Sequence, residues 1–282
     1  MADVARSWSE RGFATAVLAA LAILAFAGNS LLARAALADG AIEAGAFSAI
    51  RLVAGALILM PVLGQRPSRA DAPGAVALAA YVAGFSLAYL ELGAGVGALI
   101  LFACVQTTIL LVGVVRGAGP SLVGWAGLAL AMAGVVLLLD PQGGAATPLG
   151  PALLMAVAGI AWGAYTLIGR GKGDATGRTA RNFLLATPLV LPMLALDSAP
   201  PQTAGILLAI IAGAITSGLG YVAWYKVTPR LGLTTVASVQ LATPLVAALG
   251  GVLLLSEALD WPLVIGGAMI LAGIVLTLRK AN

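Results

Sequence analysis

Long apolar runs, separated by short polar or turn-forming segments, dominate the chain. A helix needs about 20 mostly apolar residues to cross the hydrocarbon core of a bilayer. The first run has no small-residue cleavage site at its end, so we expect a retained helix rather than a signal peptide. The pattern predicts ten membrane-spanning helices, at 13–33, 44–63, 74–91, 95–115, 121–139, 148–169, 179–196, 203–225, 232–254 and 261–278.

Composition agrees with this pattern. The 282 residues are 61% hydrophobic and 9% charged, with a mean hydropathy of +1.06, whereas a soluble domain has about 25% charged residues. A single soluble core could not hide this much apolar surface, so the solvent must be lipid. The absence of histidine excludes His-containing metal sites and Ser–His catalysis. We expect no cofactor and no metal, and the net charge of +4 does not suggest a nucleic-acid partner.

The placement of charge predicts the topology. With the N-terminus in the cytoplasm, every lysine and arginine except Arg34 and Arg51 falls in a segment predicted to be cytoplasmic or in its flanks. This is the positive-inside rule, and it places both termini in the cytoplasm. The acidic residues of the predicted outer segments are Asp39, Glu43, Glu91, Asp140, Asp197, Glu257 and Asp260.

The two halves of the chain resemble each other. "GLALAMAGVVL" at 127–137 matches "GGAMILAGIVL" at 266–276, including the glycines at both ends of a seven-residue spacing, and Val105–Gln106 aligns with Val239–Gln240. We therefore predict two five-helix repeats, at 1–140 and 148–282. Five is odd, so consecutive copies enter the membrane in opposite directions. Such inverted repeats are typical of transporters with a substrate site near the midplane, and with both halves in one chain a monomer suffices.

Several polar side chains fall inside predicted spans. An amide facing lipid is costly, so Gln106 and Gln240 should face the protein interior, either to bind substrate or to form a hydrogen bond between helices of about 0.6–2 kcal/mol. Asn29 and Thr243 present the same choice, and a threonine also bonds its own preceding turn. Pro244 removes a backbone donor and should kink its helix, as a hinge or as a static feature.

Aromatic residues and one arginine complete the candidates. Tyr81, Trp162, Tyr165 and Tyr221 are candidate cavity walls. Three others near span ends, Tyr89, Trp224 and Tyr225, are expected to be interface anchors. Arg51 lies about 10 Å into its helix at 1.5 Å per residue, where it meets a substrate carboxylate or extends outward to Glu43 or Asp39. No acidic residue lies mid-span, so we predict no tight proton coupling.

The segment "YVAWYKVTPRLGLTTVASVQLATPLVAALGGVLLLSEALDWPLVIGGAMILAGIVLTL" at 221–278 resembles the EamA-type repeat of the drug/metabolite transporter superfamily. The matching positions are Tyr221, Trp224, Arg230, Pro244, Glu257 and the glycines 266, 267 and 273. "IRLVAGALILMPVL" at 50–63 resembles the second helix of that repeat. The first half departs from the pattern at Leu110, which stands where Pro244 does in the second half. Among ten-helix members the chain looks most like the YddG-type amino-acid exporters.

Together these features predict an all-α integral membrane protein of the bacterial inner membrane. The resemblance implies export of small metabolites, above all amino acids such as aromatic or other neutral ones. The expected mechanism is alternating access around a midplane cavity lined by predicted helices 1, 3, 4, 6, 8 and 9. Other metabolites or drugs, such as nucleobases or organic cations, are the alternative, and an integral-membrane enzyme is a remote one. The expected partners are a small-molecule substrate and the bilayer. The predicted substrate-binding residues are Gln106, Gln240, Tyr81, Trp162, Tyr165, Tyr221, Thr243 and Asn29, with Pro244 as the hinge.

Overall fold

The computed structural model describes residues 2–117, 120–139, 147–169, 173–228 and 239–277, with side chains from residue 13 onward. These residues form helices and connecting turns and contain no β-strand. Short 3₁₀ turns extend α2 (Met60–Val62) and α7 (Leu191–Leu196) and precede α3 (Arg69–Asp71). The helices are α1 Ala2–Leu37, α2 Ala44–Leu59, α3 Ala72–Ala88, α4 Ala94–Val115, α5 Leu122–Leu138, α6 Leu149–Gly169, α7 Ala175–Val190, α8 Thr203–Val227, α9 Ala242–Leu255 and α10 Trp261–Thr277.

Seven of these helical segments, those of α1–α4 and α6–α8, are long and apolar enough to cross a membrane within the described residues. The helices α5, α9 and α10 are apolar but shorter. The 14 residues of α9 cover about 21 Å at 1.5 Å per residue, less than a hydrocarbon core of about 30 Å. The predicted start of this span, at 232–238, lies outside the described residues. Ten crossings therefore remain a prediction.

Carboxylates from the second half of the chain cap two helices of the first half. Asp197 accepts hydrogen bonds from the N–H groups of Gly45 (3.0 Å) and Ala46 (2.7 Å) at the start of α2. Glu257 accepts from the N–H of Ala94 at the start of α4. A carboxylate at a helix N-terminus satisfies donors that have no partner in the helix and interacts favourably with the helix dipole. These caps join segments more than 150 residues apart.

Glycines set the packing of α5 against α10. A Cβ added at Gly127 would lie 2.5 Å from the carbonyl oxygen of Gly273, and one added at Gly134 would lie 2.7 Å from that of Gly266. The backbones therefore approach each other without intervening side chains. The contact is reciprocal, because the first glycine of each matched pair faces the second glycine of the other.

The remaining helices pack in pairs that recur five helices later. Helix α3 packs on α6 and α7, and α8 packs on α1 and α2; α4 packs on α6, and α9 packs on α1. Helix α2 packs on α7 and α4 on α9, which are the corresponding helices of the two halves. This pattern of contacts is the one expected of two five-helix units related by a two-fold axis.

Helix α8 is not regular. Between α-helical parts at Thr203–Ile211 and Gly220–Val227, the eight residues Ala212–Leu219 form a π-helix. Added Cβ atoms at Gly213 would overlap the carbonyl of Arg51 in α2, so glycine allows this part of α8 to lie directly on α2. The apolar pattern predicts a regular helix here and did not indicate the change. Such π-helical turns are frequent at functional sites.

Candidate functional site

A small cavity lies among the helices where the two halves meet. Residues of α1, α3, α4, α6 and α8 surround it, so five of the six helices expected to line a central cavity contribute, and α9 does not. Its volume is about 10 Å³, on the scale of one water molecule. A larger molecule therefore requires the surrounding helices to separate. The lining residues are Phe26, Asn29, Ser30, Tyr81, Phe85, Leu101, Phe102, Trp162 and Tyr221.

Trp162 lies at the centre of the aromatic wall. Its ring centroid is 4.9 Å from that of Tyr81, 4.8 Å from that of Tyr221 and 5.9 Å from that of Phe26. Four different helices supply these four rings. Tilted and edge-on ring pairs of this kind contribute about 0.5–1.5 kcal/mol each beyond area burial. The wall is therefore both apolar and held in one geometry.

Arg51 of α2 lies directly behind this wall and is 1% exposed. Its Nε donates to Ser217 Oγ at 3.0 Å and its Nη2 donates to Tyr81 Oη at 3.2 Å. Its Cζ atom lies 5.3 Å from the ring centroid of Tyr81 and 4.8 Å from that of Phe85. These are cation–π distances to two residues that line the cavity.

One of the two alternatives predicted for Arg51, that its side chain extends outward to Glu43 or Asp39, is wrong. Glu43 instead accepts hydrogen bonds from Ser198 and Ala199 at the end of the bundle. Within the described residues, Arg51 Nη1 has no hydrogen-bond partner. Arg34 forms an ion pair with Glu257, and Arg181 forms one with Asp71, and neither pair involves Arg51.

The π-helical part of α8 connects Arg51 to α1. Asn29 Oδ1 accepts hydrogen bonds from Thr216 Oγ1 at 2.6 Å and from Ser217 Oγ at 3.1 Å, and Asn29 Nδ2 donates to the Thr216 carbonyl at 3.3 Å. Ser217 in turn accepts from Arg51. Consecutive side chains of the π-helix thus meet one amide, and the network runs from α2 through α8 to the cavity residue Asn29.

Four of the predicted site residues line the cavity together: Asn29, Tyr81, Trp162 and Tyr221. Tyr165 lies one layer behind, with its ring centroid 5.4 Å from that of Trp162 and its hydroxyl buried without a hydrogen-bond partner in the described part of the chain. Residues absent from the predicted set include Phe26 and Phe85. Each falls three or four residues from a predicted site residue, Asn29 or Tyr81, and this helical spacing was the available signal.

The other predicted residues lie outside the cavity lining. Gln106 is buried in α4, one turn beyond the lining residue Phe102. Gln240 Nε2 and Thr243 Oγ1 are buried without hydrogen-bond partners among the described residues. Val239 and Gln240 are helical, and a turn at Leu241 separates them from α9. This interruption lies just before Pro244, where the sequence predicts a kink. Proline has no N–H to donate to the carbonyl of residue 240, four positions earlier.

Two aromatic residues expected at the membrane interface are inside the protein instead. Tyr89 is 0% exposed and donates from its hydroxyl to the Ala94 carbonyl at 3.3 Å. Trp224 is 2% exposed, with its ring centroid 5.5 Å from that of Phe26. A position near the end of a span does not distinguish the membrane interface from the protein interior, because an aromatic ring with a polar atom suits both environments.

Polar contacts join the two halves at both ends of the bundle. We call the end with the C-terminus of α1 the outer end and the end with the C-terminus of α2 the inner end. At the outer end Arg34 Nε lies 3.5 Å from Glu257 Oε1. The hydrogen bonds that Glu43 accepts from Ser198 and Ala199 lie at the same end, and they hold the pKa of the Glu43 carboxyl below its usual value. At the inner end Arg181 Nε lies 3.1 Å from Asp71 Oδ1.

The site has the composition of a binding cavity. Within the described ranges, no three His, Cys, Asp or Glu side chains lie close enough together to hold a metal ion. The cavity offers aromatic faces, hydroxyl groups and an amide, with a guanidinium behind them. Such a surface orients a small molecule through a few polar contacts on an apolar wall.

Comparison with known proteins gives one family. The model of the EamA-like transporter family matches residues 149–279. An uncharacterized protein of Pseudomonas aeruginosa is 48% identical over 274 residues, which cover 94% of each chain. An uncharacterized transporter of Archaeoglobus fulgidus is 31% identical over 170 residues, which cover 56% of this chain and 58% of that protein. A solved crystal structure covering 93% of this chain and 96% of its own has a TM-score of 0.65 at 19% identity, which shows the fold alone.

Proposed function

We propose that this chain, whose residues 149–279 match the model of the EamA-like transporter family, exports amino acids across the bacterial inner membrane. This match supports the family resemblance predicted from the sequence, and it supports a multi-pass membrane transporter of small molecules. The amino-acid substrate, the direction and the mechanism are the proposal. A transporter family also argues against an enzyme.

The observation that carries the proposal is the cavity between helices of both halves. Its aromatic faces suit an apolar side chain, and its hydroxyl and amide groups suit the polar groups of an amino acid. Two buried polar groups near the start of α9, Gln240 Nε2 and Thr243 Oγ1, have no partner in the described residues. Buried polar groups are normally hydrogen-bonded, so we assign these, with Gln106, to substrate in the open conformations.

Alternating access is the mechanism that the packing supports. The reciprocal contacts of α5 with α10, and the helix pairs that recur five helices later, suit two inverted repeats that rock against each other. Contacts between the halves close both ends around a cavity of about 10 Å³. Substrate enters from one side only when the contacts of that end break. Pro244, beside the turn at Leu241, is the proposed hinge, and a monomer suffices.

Counterflow in proteoliposomes tests the proposal. Vesicles loaded with unlabelled amino acids should accumulate the same labelled amino acid, and vesicles with the Trp162→Ala variant should do so much more slowly. Parallel vesicles loaded with nucleosides or organic cations test the alternative substrates. An imposed pH gradient should not drive uphill uptake, because no carboxylate of the described residues lies in the cavity wall. Flux of nucleosides or cations without amino-acid flux would contradict the proposed substrate.

A further inference from the structure

The central cavity adjoins a positive charge that no described carboxylate neutralises. Arg51 is 1% exposed, and none of the carboxylates whose side chains the structure describes lies within ion-pair distance of it. A buried charge is costly unless it is paired. Among the described residues, hydroxyl groups and aromatic faces surround the guanidinium, and Nη1 has no hydrogen-bond partner there.

We propose that the cavity binds the carboxylate of its substrate, and that its substrates are carboxylates with an apolar or aromatic body. This inference rests on the proposed transport function and names the substrate class of the same site. The guanidinium supplies the electrostatic attraction from behind the wall. The hydroxyl groups of Tyr81 and Tyr221 supply the direct hydrogen bonds.

Both tyrosine hydroxyl groups retain a proton that can be donated to a bound carboxylate. Tyr81 Oη accepts a hydrogen bond from Arg51 Nη2 at 3.2 Å, which leaves its own proton for another acceptor and polarises it. Tyr221 is 1% exposed, and its hydroxyl lies beside Arg51 and Tyr81 without forming a hydrogen bond of good geometry. Both residues line the cavity. An ionised carboxylate only accepts hydrogen bonds, so it satisfies both donors at once.

The other lining residues determine which group, attached to the carboxylate, the cavity accommodates. Phe26, Phe102 and Trp162 line the cavity next to the two tyrosines. These side chains offer ring faces and edges and no charged group. A ring or branched aliphatic group buries its apolar surface there, while a second charged group would lose its hydration without a described ionic partner.

The sign of the charge discriminates among the possible cargoes. A positive charge in a low-dielectric wall repels a cation and attracts an anion. Organic cations are therefore excluded. A zwitterion is accepted through its carboxylate, and an anion that lacks the amino group is bound at least as well. A site built around a carboxylate of the protein would show the opposite order of affinities.

The experiment measures binding of four probes that share one phenyl ring. Purified protein in lipid nanodiscs is titrated with 3-phenylpropionate, L-phenylalanine, L-phenylalaninamide and phenethylamine. We expect 3-phenylpropionate to bind at least as tightly as phenylalanine, and the two cations to bind at least about tenfold more weakly, as a close unfavourable charge implies. Equal binding of phenethylamine and 3-phenylpropionate overturns the inference, and so does failure of both carboxylates to bind.

Variants assign the effect to the residues named. Arg51→Gln should weaken binding of the carboxylates at least about tenfold and reduce the preference over phenethylamine. Tyr221→Phe, which keeps the ring, should weaken them by a smaller factor. Arg66→Gln removes an exposed arginine between α2 and α3 and should leave binding unchanged. Unchanged carboxylate binding in both Arg51→Gln and Tyr221→Phe overturns the inference.

The outcome is separable from that of the proposed function. Arg51-dependent binding of 3-phenylpropionate without amino-acid counterflow upholds the carboxylate site and contradicts amino-acid export. Amino-acid counterflow together with equal affinity for phenethylamine upholds export and overturns the carboxylate site.

Discussion

Arg181 Nε lies 3.1 Å from Asp71 Oδ1, and this ion pair joins the two halves of the chain at the inner end of the bundle. Arg181 Nη1 also donates to the Leu63 carbonyl at 3.2 Å. The corresponding contact at the outer end is made by Glu257, which accepts from the Ala94 N–H and faces Arg34. If the halves rock against each other, the contacts of the inner end hold that end closed, and the contacts of the outer end hold the other end closed.

Weakening one end should therefore open that end. Asp71→Asn should increase labelling of a cysteine at Ser30, in the cavity wall, from the inner side. Glu257→Gln should increase it from the outer side. A shift of about 1.4 kcal/mol in the conformational equilibrium changes accessibility of the minor state about tenfold. Impermeant maleimide applied from each side of oriented vesicles, with Cys104→Ser as background, makes the measurement. Increased labelling from the same side in both variants would contradict opposed gates.

The glycine contact between α5 and α10 should be sensitive to a single methyl group. Gly127→Ala places a Cβ 2.5 Å from the Gly273 carbonyl oxygen, and overpacking of this kind costs about 1–3 kcal/mol of stability. Gly150→Ala is the control, because nothing lies within 4 Å of its added Cβ. Unfolding in detergent with increasing SDS should separate the two variants. Gly273→Ala should destabilise the protein similarly. The double variant should lose less stability than the two single variants together, because both substitutions disrupt the same contact between α5 and α10.

The two buried glutamines should matter for transport and not for folding. Replacing both Gln106 and Gln240 with leucine keeps side chains of similar size and removes the amides. Because Gln240 Nε2 has no partner among the described residues, its loss should cost little stability. We expect kcat/KM for amino-acid counterflow to fall at least about tenfold. Loss of one substrate hydrogen bond worth about 1.4 kcal/mol has an effect of this size. Wild-type transport by this double variant would assign the amides to packing.

Glu43 makes one outer contact pH-dependent. The hydrogen bonds from Ser198 and Ala199 lower the pKa of its carboxyl below the usual 4.5. A carboxyl whose pKa is lower in the folded protein than in the unfolded chain stabilises the fold at pH values above its unfolded pKa. This stabilisation is lost as the pH falls through its folded pKa. The stability difference between the wild type and Glu43→Gln should therefore be constant above about pH 5 and shrink below 4.5. A difference that grows with acidification would contradict this sign.

The departures from expectation concern the surroundings of individual side chains and the regularity of α8, and not the positions of the helices along the chain. Every described helix overlaps a predicted span, because a lipid solvent imposes long apolar segments with internally bonded backbones. The glycine pairs that meet at α5 and α10 were visible as a seven-residue spacing. The π-helix of α8 had no local signal. It depends on the approach of Gly213 to α2 and on the bonds of Thr216 and Ser217 to Asn29.

The sequence by itself predicted the helical membrane class, the resemblance to the EamA-type repeat, and the aromatic candidates Tyr81, Trp162 and Tyr221. Only the tertiary structure decided what Arg51 meets and which candidates share a cavity. Hydropathy tells which segments leave water, and helical spacing tells which residues share a face. Neither identifies the partner of a long polar side chain, because Arg51 reaches Ser217 across 166 residues of chain. That choice belongs to the packing of α2 against α8, where the folded chain places a hydroxyl group within reach of the guanidinium.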